Sequence, residues 1–180
     1  KYFNGFKKII EFGCGTGTNL MILCELFPGV LLTGCDWAHS SQQIIKIMSK
    51  KLNAKIEGVQ FNMLTLAGKE NVEIDSDTAL ITMHAMEQLG TSFGAFLESI
   101  MESRPGIVFH IEPILELYES DRLFDTLAVK YHEKRNYLKG YLTALKKLET
   151  ENKIEILEIR RLFFGSLFHE GYSLVVWKIK

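Results

Sequence analysis

A histidine and a glutamate with a spacing suited to acid–base chemistry follow one apolar run of the sequence. The run covers residues 78–83, His84 comes directly after it, and Glu87 stands three residues further on. An imidazole titrates near neutral pH and can take a proton from a hydroxyl group, and a carboxylate can position a substrate. His84 and Glu87 are therefore the candidate catalytic residues, and His84 is also a candidate substrate contact. The alternatives are a histidine that only packs against its loop and a glutamate that caps a helix.

Glycines alternate with small residues directly after the first apolar run, residues 9–12. Because glycine has no Cβ, the backbone can turn sharply there and a ligand can lie against it. A pattern of helical spacing follows, and the first N–H groups of a helix would face that ligand. A strand, a glycine turn and a helix are typical of the first unit of a nucleotide-binding α/β sheet, although a tight turn without a ligand is the alternative. The candidate ligand contacts in this stretch are Glu11, Gly13, Cys14, Gly15 and Gly17.

An acidic residue ends the second apolar run, residues 30–35. Asp36 stands 19 residues after Gly17, and a carboxylate at the tip of the second strand accepts hydrogen bonds from ribose hydroxyls in nucleotide-binding folds. The alternative is an aspartate that only turns the chain. Trp37 follows directly, where it would pack near an adenine ring or cover the edge of the core.

Strands that end at one edge of a parallel sheet would bring these groups together. Apolar runs of strand length end near Phe12, Asp36, Met83 and Glu112, and patterns of helical spacing separate them. The carboxyl ends of such strands line the ligand crevice of an open α/β sheet. The sequence therefore predicts an α/β fold, with one domain over residues 1–180.

The bulk composition is that of an ordinary globular domain. The 180 residues carry a formal net charge of −1, which gives no general attraction to nucleic acid or to an anionic membrane. No apolar run reaches the roughly 20 residues that span a bilayer. Three cysteines without Cys-x-x-Cys spacing speak against a metal cluster and favour a reducing, cytoplasmic setting. The sequence begins at Lys1 close to the first strand, so we expect that an N-terminal segment is missing.

The glycine turn, with Glu11 before it and Asp36 after it, resembles motif I of class I S-adenosylmethionine-dependent methyltransferases, whose pattern is acid-x-Gly-x-Gly-x-Gly. A dinucleotide-binding turn would have glycine at position 18, where Thr18 stands. The resemblance implies a Rossmann-like, seven-stranded, mostly parallel sheet with helices on both faces. Two last runs, residues 154–164 and 172–179, would form its terminal antiparallel hairpin, with His169 in the connecting loop.

The resemblance also implies the cofactor and further contacts to it. The methyl donor would be S-adenosyl-L-methionine, and the product S-adenosyl-L-homocysteine. Asn62 and Met63 follow the predicted third strand, residues 59–61, where the family holds the adenine and where an amide oxygen can accept a hydrogen bond from the adenine amino group. The alternative is an asparagine that only serves a turn. Met83, at the tip of the fourth strand, is a further expected cofactor contact.

Between the fifth and sixth strands the family needs one helix, but residues 116–150 are longer than that. We predict two helices, or one broken near Arg135, that form a helical insertion and cap the substrate site. Its polar and aromatic residues suit an acceptor with hydroxyls, an anionic group or a ring, although an amphipathic helical pair on the sheet would give the same pattern. The candidate substrate contacts are Tyr131, His132 and Arg135 in the insertion and Glu112 at the end of the fifth strand.

Together these features predict a methyltransferase that acts on a small molecule, with a hydroxyl as the first choice of acceptor. The Pro-rich or Pro-Cys motifs of nucleic-acid methylators do not follow the fourth strand. The Asp-Asn pair of metal-dependent catechol-type enzymes does not follow the fifth, where Glu112 and Pro113 stand. We therefore expect no metal and no nucleic-acid partner. N-methylation of a small molecule, a nicotinamide-dependent oxidoreductase and a non-catalytic S-adenosylmethionine-binding subunit stay open as alternatives.

Overall fold

A computed structural model of the chain describes residues 2–119, 121–165 and 172–180. These residues form seven strands and five α-helices. The strands are β1 (Lys8–Phe12), β2 (Leu31–Asp36), β3 (Ile56–Gln60), β4 (Thr78–Met83), β5 (Ile107–Glu112), β6 (Ile154–Arg161) and β7 (Ser173–Ile179). The helices are α1 (Thr18–Leu26), α2 (His39–Leu52), α3 (Gly94–Ser103), α4 (Leu123–Arg135) and α5 (Tyr141–Thr150). His169, expected in the last loop, lies outside the described residues.

The strands pair in one sheet in the order β3-β2-β1-β4-β5-β7-β6. Strand β1 pairs in parallel with β2 on one side and with β4 on the other, so the direction of the connections reverses at β1. In open α/β sheets a ligand crevice lies at this reversal, at the carboxyl ends of the strands. Strand β7 is antiparallel to both β5 and β6. The predicted seven-stranded sheet with a terminal antiparallel hairpin is confirmed.

Alternate residues of the central strand enter two separate apolar cores, one on each face of the sheet. Ile10 and Phe12 pack in the core that includes Phe96 of α3. Ile9 packs in the core that includes Leu20 of α1. Successive side chains of a strand point to opposite faces, so a strand buried on both faces is apolar throughout. The predicted helices on both faces are confirmed.

The region between β5 and β6 forms two helices of different kinds. Helix α5 packs on the sheet, since Tyr141, Leu142 and Leu145 are buried in the same core as α3. The Glu116 carboxylate accepts hydrogen bonds from the first N–H groups of α5, including that of Leu142 at 3.1 Å. Helix α5 is thus the ordinary connecting helix. Helix α4, which precedes α5, is the additional helix of this region, and the break between the two helices begins at Asn136, as predicted.

None of the helices in the described residues is long and apolar enough to span a bilayer.

Strand β6 ends at Arg161, three residues before the predicted end, and Phe163 just beyond it has a left-handed φ of 51°. A left-handed residue cannot continue a strand, and this explains the earlier end.

Candidate active site

The three glycines after β1 all adopt positive φ, but for different reasons. At Gly13 a Cβ would lie 2.2 Å from the Ala85 Cβ, so only glycine lets this turn pack against the residues after β4. At Gly17 a Cβ would lie 2.9 Å from the Met48 side chain. At Gly15 a Cβ would meet nothing within 4 Å, so the backbone there is open to a ligand. The predicted turn is thus present, and Gly15 is its accessible point.

Cys14 turns away from this open side. It is buried, and its sulfur would lie 2.9 Å from a Cβ at Gly34. Burial raises the pKa of the Cys14 thiol to about 12, so it stays protonated at neutral pH. Its contribution to the turn is that of a small packed residue.

Asp36 joins the tip of β2 to the glycine turn. Its Oδ2 accepts a hydrogen bond from the Gly15 N–H at 2.9 Å, and its Oδ1 accepts one from the Ala38 N–H, also at 2.9 Å. These two bonds fix the orientation of the carboxylate. A carboxylate has about four acceptor positions, so it can still accept from two hydroxyls of a ligand.

A cleft of about 410 Å³ opens between the glycine turn and the tips of the strands. It is lined by Gly13, Gly15, Asp36, Trp37, Asn62, Met63, Leu64, His84, Ala85, Gln88 and Leu89. Seven of these were predicted from the sequence. Leu64, Ala85, Gln88 and Leu89 were not, although all of them lie within about six residues of a predicted strand end. The predicted site residues outside the lining are Glu11, Cys14, Gly17, Met83, Glu87, Glu112, Tyr131, His132 and Arg135.

Asn62 forms a turn at the edge of this cleft. Its Oδ1 accepts hydrogen bonds from the Leu64 N–H at 2.9 Å and the Thr65 N–H at 3.2 Å. A carbonyl oxygen has two lone pairs, so both are used by the backbone. The oxygen that was expected to accept a hydrogen bond from a ligand is thus occupied within the turn. Trp37, which is 71% exposed, lines the same side of the cleft.

Glu11 is a buried carboxyl group beneath the glycine turn. Its Oε1 accepts a hydrogen bond from the Asn19 amide at 2.6 Å, whereas Oε2 has no hydrogen-bond partner in the described part of the chain. Burial raises the pKa of Glu11 to about 7, against the opposing effect of the Asn19 hydrogen bond. A buried oxygen without a partner is costly, and a donor or a cation beside it would remove that cost.

His84 and Glu87 are in direct contact. The His84 Nδ1 and the Glu87 Oε2 are 3.0 Å apart. The imidazole packs edge-on against the Tyr172 ring, with the two ring centroids 4.5 Å apart. Glu87 accepts from Nδ1–H in the neutral imidazole, which leaves Nε2 as the basic nitrogen. His84 also has a φ of 50°, a left-handed conformation that is uncommon outside glycine, although histidine adopts it more often than most residues, as asparagine and aspartate do. Such backbone strain is concentrated at functional sites.

Glu112 lies beneath this pair. It is fully buried, and its Oε1 accepts hydrogen bonds from the Ala85 N–H (3.1 Å) and the Met86 N–H (3.2 Å). Its Oε2 accepts one from the Glu87 N–H at 3.3 Å. Burial raises the pKa of Glu112 to about 7. The expected substrate contact is thus placed under the 84–87 turn, where its carboxylate holds the backbone that carries Glu87.

The predicted substrate residues of α4 form an aromatic cluster outside the cleft. His132 is buried, with ring centroids 5.5 Å from both Tyr118 and Tyr137. Tyr131 lies 5.9 Å from Tyr137, and the Arg135 guanidinium lies 5.5 Å from the same ring. In the described residues no group of three or more His, Cys, Asp or Glu side chains could hold a metal ion.

No protein-family model and no curated protein matches the sequence. Solved structures match the fold. The methyltransferase domain of the bacterial protein CtHen1-C has a TM-score of 0.67 and 20% identity over 97% of this chain and 90% of its own. Mitomycin 7-O-methyltransferase MmcR has a TM-score of 0.69 and 13% identity, with 100% of this chain and 51% of the other covered.

The small RNA methyltransferase HEN1 has a TM-score of 0.65 and 13% identity, over 98% of this chain and 23% of its own. The chain thus spans most of the first of these structures, about half of the second and less than a quarter of the third. At such identities the similarity shows the fold. The chain has the fold of class I S-adenosylmethionine-dependent methyltransferases.

Proposed function

We propose that the protein is an S-adenosylmethionine-dependent methyltransferase that methylates a hydroxyl group of a small molecule. The observation that carries the proposal is the contact of His84 with Glu87, at the rim of a cleft that Gly15 and Asp36 line. A cofactor cleft and a proton acceptor at its rim are the two components that O-methylation requires.

The residues of the cleft fit this cofactor. Asp36 would accept from the ribose hydroxyls, and the open backbone at Gly15 would let the ligand lie against the turn. Trp37 and Met63 would flank the adenine. The buried Oε2 of Glu11 would gain a partner from the positively charged amino acid end, directly or through a water molecule. The cofactor supplies a methyl carbon on a cationic sulfur, which leaves as the neutral thioether of S-adenosyl-L-homocysteine.

The chain's own contribution to the reaction is orientation and removal of a proton. Glu87 would keep the imidazole of His84 in the tautomer with a basic Nε2, and it would stabilise the imidazolium formed by proton transfer from the hydroxyl. Nε2 is buried in this structure, so the acceptor would have to uncover it. Alignment of the acceptor oxygen with the methyl carbon can supply most of the rate enhancement, since the methyl group is already electrophilic. An amine acceptor would depend less on the base.

The similar structures include an O-methyltransferase of mitomycin and a methyltransferase of small RNA. The fold is therefore compatible with either kind of acceptor. A net charge of −1 and the aromatic cluster on α4 support a small molecule. The three cysteines are free thiols, which supports a reducing compartment such as the cytoplasm.

Calorimetry with S-adenosylmethionine, S-adenosylhomocysteine and NAD tests the cofactor assignment. We expect binding of the first two and none of NAD, and the reverse would favour the oxidoreductase. Release of S-adenosylhomocysteine is then measured with panels of small hydroxylated molecules, small amines and small RNA. Turnover of the hydroxylated panel supports the proposal. Turnover of amines or RNA alone, or cofactor binding without turnover of any panel, contradicts it.

A further inference from the structure

Arg135 is exposed at the end of α4 and has no carboxylate oxygen within 4 Å among the described residues. The chain has five arginines. Each of the other four pairs with a carboxylate oxygen or with a backbone carbonyl oxygen. These pairs are Arg104 with the Lys180 carbonyl, Arg122 with Glu119, Arg160 with Glu158 and Arg161 with Asp125. Arg135 is thus a cation whose charge the described protein leaves available.

The Tyr137 ring holds the Arg135 side chain instead, and Tyr131 packs against Tyr137. The guanidinium carbon lies 5.5 Å from the Tyr137 ring centroid, and the Tyr131 ring lies 5.9 Å from that of Tyr137. A hydrogen bond to the Tyr137 hydroxyl, the two phenol groups and Glu87 all raise the pKa of Arg135 above its ordinary value. A guanidinium has five N–H donors in a planar fork, so most of them stay available to a ligand.

The end of α4 is attached to the segment that carries the catalytic pair. Asn136 is left-handed, with a φ of 52°, and packs so closely on Gly90 that a Cβ there would lie 3.0 Å from its amide nitrogen. The Lys139 N–H donates a hydrogen bond to the Gly90 carbonyl at 3.2 Å. Gly90 is three residues beyond Glu87. Arg135 therefore directly precedes a residue that packs on Gly90, and it is near enough to Glu87 for that carboxylate to raise the pKa of Arg135. It lies outside the cofactor cleft, whose lining does not include it.

We propose that Arg135, held by Tyr137, binds an oxyanion of the acceptor. The acceptor then carries a carboxylate or phosphate group in addition to the hydroxyl that faces His84. A guanidinium fork binds either group through two parallel hydrogen bonds, and the tyrosine rings would contact the carbon skeleton between the two ends. The position of the hydroxyl rests on the proposed function, whereas the anion site does not.

Binding of inorganic phosphate and of acetate tests the anion site directly. The side-chain Nε–H signal of Arg135 is followed by NMR in the cofactor-free protein while each anion is added. We expect saturable shifts for Arg135 that are lost in Arg135→Gln, and a weaker response in Arg135→Lys, because lysine lacks the fork. Arg122→Gln is the matched control, since Arg122 is also exposed but is paired with Glu119. Tighter binding of phosphate indicates phosphorylated acceptors, and tighter binding of acetate indicates carboxylic acids.

A second experiment compares acceptors in pairs that share the same hydroxyl but differ in the anionic group. We expect wild-type protein to prefer the anionic member, and Arg135→Gln to reduce that preference in kcat/KM by about tenfold or more, as for loss of a charge-assisted hydrogen bond. Arg122→Gln should keep the preference. Equal use of both members, or anion shifts that are the same at Arg135 and Arg122, would overturn the inference. Failure to bind S-adenosylmethionine would overturn the proposed function and leave the phosphate result standing.

Discussion

His84 combines a strained backbone with a side chain that is fixed by its contacts. Its φ of 50° puts a Cβ in a conformation that suits glycine, yet the chain places an imidazole there, against Glu87 and Tyr172. A left-handed residue with a Cβ costs about 1–2 kcal/mol relative to one without. A residue kept at such a cost at the rim of a cleft supports the catalytic role that the sequence spacing predicts.

We expect His84→Gly to be more stable than His84→Ala by about 1 kcal/mol, because both lose the imidazole but only alanine has a Cβ at positive φ. This reverses the usual order, in which a protein with alanine at a given position is more stable than one with glycine there. The free energy of unfolding in urea measures it. Both variants should bind S-adenosylmethionine like the wild type and lose most turnover. If alanine were the more stable variant, the strain at this position would be refuted.

Asp36→Ala should weaken S-adenosylmethionine binding by about a hundredfold or more, since two hydrogen bonds to a charged acceptor contribute about 1.5–3 kcal/mol each and tenfold in affinity is about 1.4 kcal/mol. Calorimetry gives the affinity. The control is Glu102→Ala, which removes a carboxylate from an exposed ion pair with Lys69 and should leave the affinity unchanged. An unchanged affinity for Asp36→Ala would remove the ribose assignment.

Cofactor binding should release protons from Glu11. The pKa of Glu11 is raised to about 7, so near pH 7 about half of the molecules carry this proton. A cationic ligand beside the carboxyl group lowers that pKa, and roughly half a proton would leave on binding. Calorimetry in buffers of different ionisation enthalpy measures the number. In Glu11→Gln the release should vanish, and a release that persists in that variant would assign the proton to another group.

At the scale of elements, the turn after β4 is held by a strand that the sequence places far from it. Glu112, at the end of β5, accepts three N–H bonds from residues 85–87. The sequence shows an acid at a strand end, but pattern alone does not tell whether its oxygens face a ligand or a neighbouring backbone. The same limit applies to Asn62, whose oxygen is used in its own turn. By contrast, the glycine turn, Asp36 and the His84–Glu87 pair follow from local spacing, which the sequence does contain.

Glu112→Gln should reduce turnover more than cofactor affinity. The amide cannot accept from the Glu87 N–H at the position of Oε2, so the Glu87 side chain loses its fixed orientation toward His84. Michaelis constants and kcat separate the two effects, and the pH dependence of kcat should shift with the basicity of His84. Glu112→Ala, which leaves three buried N–H groups without a partner, should cost about 3 kcal/mol or more in stability. A Gln variant with wild-type kcat and pH dependence would contradict the positioning role.

At the scale of the molecule, a buried histidine couples the sheet to α5. The His110 Nδ1 lies 2.9 Å from the Thr82 hydroxyl, and its Nε2 lies 2.6 Å from the Tyr141 hydroxyl. Burial lowers the pKa of His110 from 6.5 to about 3, so the ring is neutral in the folded protein. The fold class was predictable because strand-length apolar runs and the glycine turn define it. The burial of polar groups between β4, β5 and α5 depends on contacts distant in sequence, which no local pattern records.

His110 should make the fold less stable in acid. Its pKa is lower in the folded than in the unfolded chain, so the unfolded state binds more protons between pH 6.5 and about 3. The contribution of His110 to the free energy of unfolding is fully present above pH 6.5. Below that pH it falls by up to about 1.4 kcal/mol per pH unit. Urea unfolding of wild type and His110→Gln from pH 7 to 4 should show a steeper loss in the wild type. NMR of the wild-type ring should show a neutral imidazole at pH 5, and a charged one there would contradict this account.

The contact between Gly13 and Ala85 has a consequence for the redesign of this protein. A side chain on Gly13 would overlap the Cβ of Ala85, so the glycine turn and the segment with His84 and Glu87 meet with no space between them. Transplanting the 84–90 segment of another enzyme to change the acceptor would therefore disturb cofactor binding, unless the graft keeps alanine or glycine at position 85. Specificity at this site is better altered from the residues that follow α4, where Asn136 and Lys139 contact Gly90 at the far end of the segment.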